Sequence, residues 1–144
     1  MTTCVLDASV AIKWFIPEVE SEPARRLFRQ KTRGDLTIHV PDHFFAEAGN
    51  ILWKKVQRQA LSRRDLAPIV RAVRATPDEV YSSSDLLPGA LDLAKEVKET
   101  VYDGLYLALA VALDCELVTA DRRLWNRVSS SPYRSHIRWV GHVE

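Results

Sequence analysis

Short apolar runs alternate with longer amphipathic segments along the chain. The runs that predict buried strands cover residues 5–6, 36–40, 116–119 and 137–140, with a weaker candidate at 79–81. The segments in which apolar residues recur with helical spacing cover 8–15, 21–31, 42–59, 62–73, 85–99, 102–114 and 122–128. Because strands and helices alternate, the pattern predicts an α/β fold, a central parallel sheet flanked by helices on both faces.

Side chains suited to capping helices stand near the start of three predicted helices. Ser21 and Asp42 are in the positions of N-caps. Ser62 and Asp65 resemble a capping box with Asp in place of the usual Glu. These signals set the predicted starts of the second, third and fourth helices.

The chain has the length and composition of one compact domain. Its 144 residues are 47% hydrophobic and 27% charged, and no repeat or linker divides them, which predicts a single domain over residues 1–144. A net charge of +1 gives no global field for a polyanion. Basic residues do cluster locally, either as solvated helix faces or as a nucleic-acid surface. The clusters are Arg25 to Arg33, Lys54 to Arg64 and Arg122 to Arg138.

Cysteine usage and hydropathy bear on the compartment. Cys4 and Cys115 each lie beside a predicted strand, which favours two buried thiols. With only this pair and no signal-like start, we expect a reducing cytoplasm. The longest apolar stretch, YLALAVAL, is bounded by Asp103 and Asp114, so no membrane span is expected.

Acidic residues fall at positions where α/β proteins do chemistry. Asp7 and Asp121 each follow a predicted strand, and such strand ends share one edge of a parallel sheet if the strands are neighbours. Glu47 lies one turn into a helix that follows a strand, and Asp103 lies at the head of an apolar helix that precedes one. The pattern is consistent with all four carboxylates converging at that edge.

Each acid also has a purely structural explanation. Asp7, Asp103 and Asp121 can cap the helices that follow them, and Glu47 can pair with a neighbouring base. Four converging carboxylates would repel one another and retain protons unless a cation neutralised them. Carboxylate and water oxygens are the ligands that Mg²⁺ and Mn²⁺ prefer, so convergence predicts a divalent metal site.

Four sequence blocks together resemble one protein family. They are VLDASV, FFAEAGNILWK, YDGLYLALA and LVTAD, in this order and over nearly the whole chain. The set is similar to the PIN domain, in particular to the VapC-type toxins of bacterial and archaeal toxin–antitoxin pairs. The resemblance implies a Rossmann-like three-layer fold and an endoribonuclease that hydrolyses RNA phosphodiester bonds with Mg²⁺ or Mn²⁺.

The resemblance also implies roles for single residues. Its catalytic and metal-binding acids match Asp7, Glu47, Asp103 and Asp121. Asp7 and Asp103 are the first choices for direct ligands. Ser9 and Thr119 match small hydroxyl positions, and either orient carboxylates and waters or cap the local backbone. Some relatives carry a further acid or Asn after the last Asp; only Asn126 is available here, which leaves a fifth ligand in doubt.

Substrate and partner contacts have weaker sequence signals. Arg122 and Arg123 directly follow Asp121 and are candidates for holding RNA phosphates. A toxin of this family would form a homodimer and bind a VapB-type antitoxin. Four apolar residues either contribute to such contacts or belong to the core. They are Trp14, Phe15, Leu52 and Trp53.

Three other functions remain open at this point. A PIN-domain nuclease of housekeeping RNA processing would have the same site. An aspartyl-phosphate phosphatase or receiver-like domain also carries acids at strand ends. The haloacid dehalogenase-like version, however, needs Asp where Ser9 stands, and a receiver needs an acid pair that the chain lacks. A non-catalytic RNA- or antitoxin-binding module would not need the complete acid set.

Overall fold

A computed structural model describes residues 2–144 of the chain, and five strands within them form one sheet. The strands are β1 (Thr2–Leu6), β2 (Leu36–Pro41), β3 (Glu79–Tyr81), β4 (Glu116–Thr119) and β5 (Ile137–Trp139). They pair in parallel in the order β3–β2–β1–β4–β5. The weak candidate at 79–81 is therefore an edge strand. The last strand is one residue shorter than predicted, because Val140 already begins a 3₁₀ turn.

Helices connect the strands and cover both faces of the sheet, which confirms the predicted three-layer α/β fold. They are α1 (Ala8–Phe15), α2 (Ser21–Thr32), α3 (Phe44–Gln57), α4 (Arg63–Arg74), α5 (Ser83–Val97), α6 (Val101–Ala112) and α7 (Arg122–Ser129). Two 3₁₀ turns lie at Arg134–His136 and Val140–His142. One cluster of buried side chains runs from Cys4 to Val143. No helix within residues 2–144 combines the length and the apolar character that crossing a membrane requires.

Helix α6 is the most apolar element and packs against α5 and the central strands. All residues from Gly104 to Ala110 are buried. Gly104 allows the close approach, because a Cβ atom there would clash with the backbone carbonyl of Ala90 in α5. This packing fixes the N-terminal turn of α6, and with it the position of Asp103, relative to the sheet.

The N-cap predicted for α4 is confirmed, but the Asp65 carboxylate accepts from the Ser62 hydroxyl and not from the Ser62 backbone N–H, as it would in a full capping box. Ser62 is the N-cap, its Oγ accepts a hydrogen bond from the Asp65 backbone N–H at 3.3 Å, and it donates to the Asp65 carboxylate at 2.9 Å. The N-cap assigned to Ser21 is wrong. Ser21 is the first residue of α2, and its Oγ accepts from the Glu18 N–H at 2.7 Å, which closes the preceding loop.

The N-cap assigned to Asp42 is also wrong, because α3 begins at Phe44 and its N-cap is His43. The Asp42 backbone N–H donates to the Tyr81 carbonyl at 2.8 Å. Asp42 thus extends the pairing of β2 with β3 by one hydrogen bond, and the chain turns into the helix only after it.

The apolar candidates and the cysteines divide between core and surface. Trp14 and Leu52 are buried in the core, whereas 51% of Trp53 is exposed. Cys4 is buried as predicted, but Cys115 is only half-buried because it lies in the turn just before β4. Desolvation raises the pKa of both thiols, that of Cys115 to about 11, so neither is a reactive thiolate near neutral pH. Phe15 is half-buried against the core.

Candidate active site

The carboxyl ends of β1 and β4 meet at one edge of the sheet. Leu6 pairs with Val118, and the next backbone N–H, that of Asp7, donates to the Val118 carbonyl at 3.1 Å. Asp121 follows β4 at the same edge. The two strands are neighbours, so the condition for Asp7 and Asp121 to share one edge is met.

All four predicted acids line one pocket at this edge. The pocket has a volume of about 250 Å³. Its lining comprises Asp7, Ser9, Glu47, Asn50, Ile51, Asp103 and Asp121. The acids of this lining come from the ends of two strands and from the first turns of α3 and α6. The chain therefore brings together four carboxylates that lie up to 114 positions apart in its sequence.

Asp7 is held by hydrogen bonds to both of its oxygens. Oδ1 accepts from the Ser9 backbone N–H at 3.2 Å, which makes Asp7 the N-cap of α1, and Oδ2 accepts from the Thr119 hydroxyl at 2.8 Å. Only 7% of Asp7 is exposed. Burial raises the pKa of this carboxyl, while the bonds from Thr119 and Ser9 act in the opposite direction. The capping explanation is thus correct for Asp7, without accounting for its place in the pocket wall.

Thr119 and Ser9 tie the two strand ends together. Thr119 is fully buried, and its Oγ1 also accepts from the Asp121 backbone N–H at 3.0 Å. The Ser9 hydroxyl accepts from the Ala120 N–H at 3.3 Å. One buried threonine thus contacts the first and the last acid of the site.

Glu47 is oriented by a tyrosine of α6. The Tyr106 hydroxyl donates to Glu47 Oε2 at 2.8 Å and accepts from the Ala8 backbone N–H at 3.3 Å. Burial, and then the charge of Asp7, raise the pKa of Glu47 to about 7, against the opposing effect of the tyrosine bond. Glu47 therefore retains a proton in part of its population near neutral pH.

His43 packs one helical turn before Glu47 but forms no ion pair with it. Burial lowers the pKa of the ring, so the imidazole is neutral at neutral pH. Its Nε2 donates to the Tyr102 carbonyl at 3.0 Å and lies 3.7 Å from Glu47 Oε1. The ring also packs against Tyr106, with centroids 4.6 Å apart. His43 therefore lies beside Glu47 as a neutral, polar ring.

Asp103 is not a helix cap. Helix α6 begins at Val101, and its N-cap is Thr100, whose hydroxyl accepts from the Asp103 backbone N–H at 3.2 Å. The carboxylate is left facing the pocket. Burial, and then the charges of Asp7 and Asp121, raise its pKa from 3.8 to about 7. The cost of ionising Asp103 comes first from its burial and then from the neighbouring carboxylates.

Asp121 is the most accessible of the four acids. Its Oδ1 caps α7 by accepting from the backbone N–H groups of Arg123 at 3.0 Å and Leu124 at 3.3 Å. The capping explanation is therefore correct here as well. The residue is exposed on the solvent side of the pocket.

Both candidate arginines have protein partners. The Arg122 guanidinium lies over the Trp139 ring, 3.9 Å from its centroid. Arg123 forms a two-point ion pair with Glu99, through Nε and Nη2 at 3.2 Å each. Asn126 lines a different cleft, so it does not join the four acids as a fifth ligand in this structure.

The donor set, though not yet its arrangement, fits a divalent metal. Within residues 2–144, no group of three or more His, Cys, Asp or Glu side chains has the arrangement of a metal-binding cluster. The pocket nevertheless offers carboxylate oxygens from four residues, which hard cations such as Mg²⁺ and Mn²⁺ prefer. Burial first, and then the charges of neighbouring carboxylates, raise the pKa values of Asp103 and Glu47, and a bound cation would oppose both effects.

Two residues of the site were missed from the sequence. The sequence places Tyr106 in an apolar helix, but a buried tyrosine hydroxyl needs a partner and position 106 shares a helix face with Asp103. Glu99, whose side chain is 2% exposed, gives no sequence signal at all. Its partners, Arg123 and Arg127, are brought to it by the packing of α7.

Replacing Tyr106 with Phe removes the hydroxyl that donates to Glu47. Because this bond lowers the pKa of Glu47, we expect Tyr106→Phe to raise that pKa above about 7. Carbon-13 NMR titration of the Glu47 carboxyl measures the shift. Tyr81→Phe is the matched control, since the Tyr81 hydroxyl bonds to His39 at 2.8 Å and not to a site residue. A Glu47 titration that is the same in both variants would show that the bond is not formed.

Comparison with protein families and known proteins gives one consistent result. A family model described as "PIN domain" matches residues 4–130. The chain is 32% identical over 124 residues to "Ribonuclease VapC3" of Pyrobaculum aerophilum, with 83% of this chain and 90% of the relative covered. It is 32% identical over 120 residues to "Ribonuclease VapC12" of Mycobacterium tuberculosis, with 83% and 88% covered.

A solved structure shares the fold. The crystal structure of PAE2754 from Pyrobaculum aerophilum superimposes with a TM-score of 0.68 over 97% of this chain and 92% of that one, at 23% identity. At that level of identity the likeness supports the architecture alone. The two sequence relatives align over most of their own length and of this chain, so they support more than the architecture.

Proposed function

The chain belongs to the PIN domain family, and from this membership together with its carboxylate pocket we propose that it is a metal-dependent endoribonuclease, the toxin of a toxin–antitoxin pair. The observation that carries the proposal is the convergence of four acids in one pocket, two of which titrate near pH 7. Relatives that bear the name ribonuclease match the chain over 83% of its length. The proposed reaction is hydrolysis of an RNA phosphodiester bond.

The residues divide into metal-holding and orienting groups. Asp7 and Asp103 would hold Mg²⁺ or Mn²⁺ directly, and Glu47 and Asp121 would hold it directly or through waters. Such an ion supplies a water of lowered pKa and offsets charge on the phosphate. Since no three of these side chains form a cluster in the structure, they would have to draw together around the ion.

The hydrogen bonds around the pocket support the orienting roles. Thr119 donates to Asp7 Oδ2 and accepts from the Asp121 N–H, so it keeps two acids in register. Ser9 fixes the turn at Ala120 that leads to Asp121. Tyr106 holds one oxygen of Glu47 and leaves the other free to face the pocket. Because these hydrogen bonds already orient the acids, a bound ion needs to induce a smaller rearrangement of the side chains.

Cleavage of RNA by the purified protein tests the proposed activity. We expect cleavage of single-stranded RNA with Mg²⁺ or Mn²⁺ and none after the metal is removed with EDTA, because without an ion the carboxylates repel the phosphate. Gel analysis of a labelled RNA checks this. Cleavage of equal rate in EDTA would contradict a metal-dependent site.

The toxin role has its own test. Expression of the chain without a partner is expected to arrest growth, and co-expression of its antitoxin is expected to relieve the arrest. An active ribonuclease that leaves growth unchanged would instead favour housekeeping RNA processing. RNA and antitoxin would both be met in the cytoplasm, where free thiols such as Cys4 and Cys115 persist.

Partner contacts require exposed apolar surface, and α3 and α4 provide it. A cleft of about 530 Å³ between them is lined mainly by apolar side chains, of which Val70 is exposed and Phe45 is half-buried. Trp53, on α3, is half exposed. We propose that a VapB-type antitoxin and a second copy of the chain draw on this surface. The buried Trp14 is excluded from such contacts.

A further inference from the structure

A second polar cleft lies beside the carboxylate pocket. It is formed by the C-terminal end of α5 and by α7 and has a volume of about 660 Å³. The polar side chains that line it include Lys98, Arg123, Asn126, Arg127, Ser130 and Ser131. Its one acidic lining residue, Glu96, already accepts a hydrogen bond from the Tyr133 hydroxyl at 2.7 Å. The lining therefore holds three cations and one carboxylate that has a partner, and a second carboxylate, that of Glu99, pairs with two of the cations.

Glu99 anchors two of these cations. Its carboxylate is 2% exposed, binds Arg123 at two points at 3.2 Å, and lies 3.6 Å from Arg127 Nε. The two arginine side chains themselves are 68% and 45% exposed. The guanidinium groups are thus held at their inner edges, while their outer N–H groups remain open to a ligand. Arginines fixed in this way lose little conformational entropy on binding a phosphate.

The cleft and the carboxylate pocket share a wall. Asp121 lines the pocket, and its Oδ1 accepts from the backbone N–H of Arg123, which lines the cleft. Glu99 directly precedes Thr100, the N-cap of the helix that carries Asp103. An RNA strand bound across the carboxylate pocket would therefore continue into the cleft.

Lys98 has a backbone conformation that lysine rarely adopts. It ends α5 in the left-handed region, with φ 58° and ψ 46°. Glycine or asparagine would adopt this conformation at lower cost. A lysine at this position brings an ammonium group to the cleft in spite of that cost.

We propose that this cleft binds the sugar–phosphate backbone of single-stranded RNA on one side of the bond to be cut. The proposal rests on the proposed ribonuclease function and assigns it a substrate subsite. Four carboxylates repel an approaching phosphate, so binding needs fixed cations close by. Lys98, Arg123 and Arg127 supply them, and their contacts to phosphates would be independent of base sequence.

Binding of a fluorescein-labelled single-stranded RNA in EDTA, followed by anisotropy at several salt concentrations, tests the subsite without cleavage. The variants are Arg127→Gln, which leaves Glu99 its two-point pair with Arg123, and Lys98→Asn, which suits the left-handed backbone. Arg33→Gln is the matched control, because Arg33 is exposed and lies just before β2, at the opposite edge of the sheet.

We expect each cleft variant to weaken RNA binding by about 3- to 10-fold and to reduce the slope of log K against log salt by about 0.7 for each lost phosphate contact. Arg33→Gln should bind as the unchanged protein does. Thermal unfolding verifies that all variants fold. Cleft variants that bind RNA with unchanged affinity and salt slope would overturn the proposal. Weaker binding of an acidic partner protein by the same variants would not rescue it. Failure of the unchanged protein to bind RNA at low salt would overturn it too.

The outcomes for subsite and activity are separable. RNA binding that depends on Lys98 and Arg127, in a protein that cuts no RNA with any metal, would refute the ribonuclease and keep the subsite. Metal-dependent cleavage by cleft variants with unchanged binding would keep the ribonuclease and refute the subsite. In the supporting case, the variants raise KM and leave kcat nearly unchanged.

Discussion

We expect Asp103→Asn to lower the rate of RNA cleavage by about 100-fold or more, since residues that merely orient a metal ligand are already worth about 10- to 100-fold. The substitution keeps the size of the side chain and removes its charge. Helix α6 should remain intact, because its N-cap is Thr100 and not Asp103. The expected loss is therefore one of chemistry, measured as the initial rate of cleavage with Mn²⁺.

The same substitution has the opposite effect on stability in the absence of metal. Burial and neighbouring carboxylates raise the pKa of Asp103 to about 7, so ionising it costs free energy at pH 8. We expect Asp103→Asn to raise the free energy of unfolding of the metal-free protein at pH 8. The expected increase is about 1–2 kcal/mol, after allowance for solvent screening of a part-exposed group. Urea unfolding in EDTA measures this change.

Asp114→Asn is the matched control for both effects. Asp114 follows the other end of α6, is exposed, and has a left-handed backbone that asparagine also adopts. Cleavage and stability should both stay close to those of the unchanged protein. Equal losses of activity in the two variants, or destabilisation of the metal-free protein by Asp103→Asn, would mean that Asp103 is an ordinary surface charge.

The pH dependence of metal-free stability provides the second large effect. Glu47 and Asp103 titrate near pH 7 in the folded chain, well above the 4.5 and 3.8 that such carboxyls ordinarily show. Between about pH 4 and 7 the folded state therefore holds more protons at these groups than the unfolded state does. Their contribution to stability is complete below about pH 4 and is lost as the pH rises through about 7.

A divalent cation should reverse this loss. It binds the ionised carboxylates of the folded state, so Mn²⁺ should raise the midpoint of thermal unfolding more at pH 8 than at pH 5.5. The Asp103→Asn variant should show a smaller loss of stability between these pH values in EDTA and a smaller response to Mn²⁺. An equal response at both pH values would indicate nonspecific ion binding. The comparison is made by calorimetry at one ionic strength, with Ca²⁺ and Mg²⁺ in parallel.

Much of the fold follows from local pattern. Asp7 and Asp121 were expected at one sheet edge on the condition that their strands are neighbours, and the pairing of β1 with β4 meets that condition. The N-cap at Ser62 was also correct, since its partner Asp65 is three residues away. The two wrong N-caps are residues whose hydrogen bonds go elsewhere, one to a distant strand and one within the preceding loop. Asp42 is bonded to an edge strand, and Ser21 closes a loop, so neither caps a helix.

The candidate site divides in the same way. That four acids would line one pocket could be predicted from their positions relative to strands and helices. The orientation of Glu47 could not, because it depends on a tyrosine 59 positions away in another helix. The contacts of the basic residues could not be predicted from the sequence either. Arg122 lies over Trp139 and Arg123 is bound by Glu99, contacts that only packing of α7 creates.

Calorimetric titration of the metal-free protein with Mn²⁺ at pH 7, in two buffers that differ in ionisation enthalpy, tests the central claim most directly. We expect saturable binding with release of protons, since Glu47 and Asp103 are partly protonated at that pH and must ionise to bind a cation. Binding and proton release should be lost together in Asp103→Asn and retained in Asp114→Asn. Absence of saturable binding, or identical binding by the Asp103→Asn protein, would contradict a metal site built on these four carboxylates.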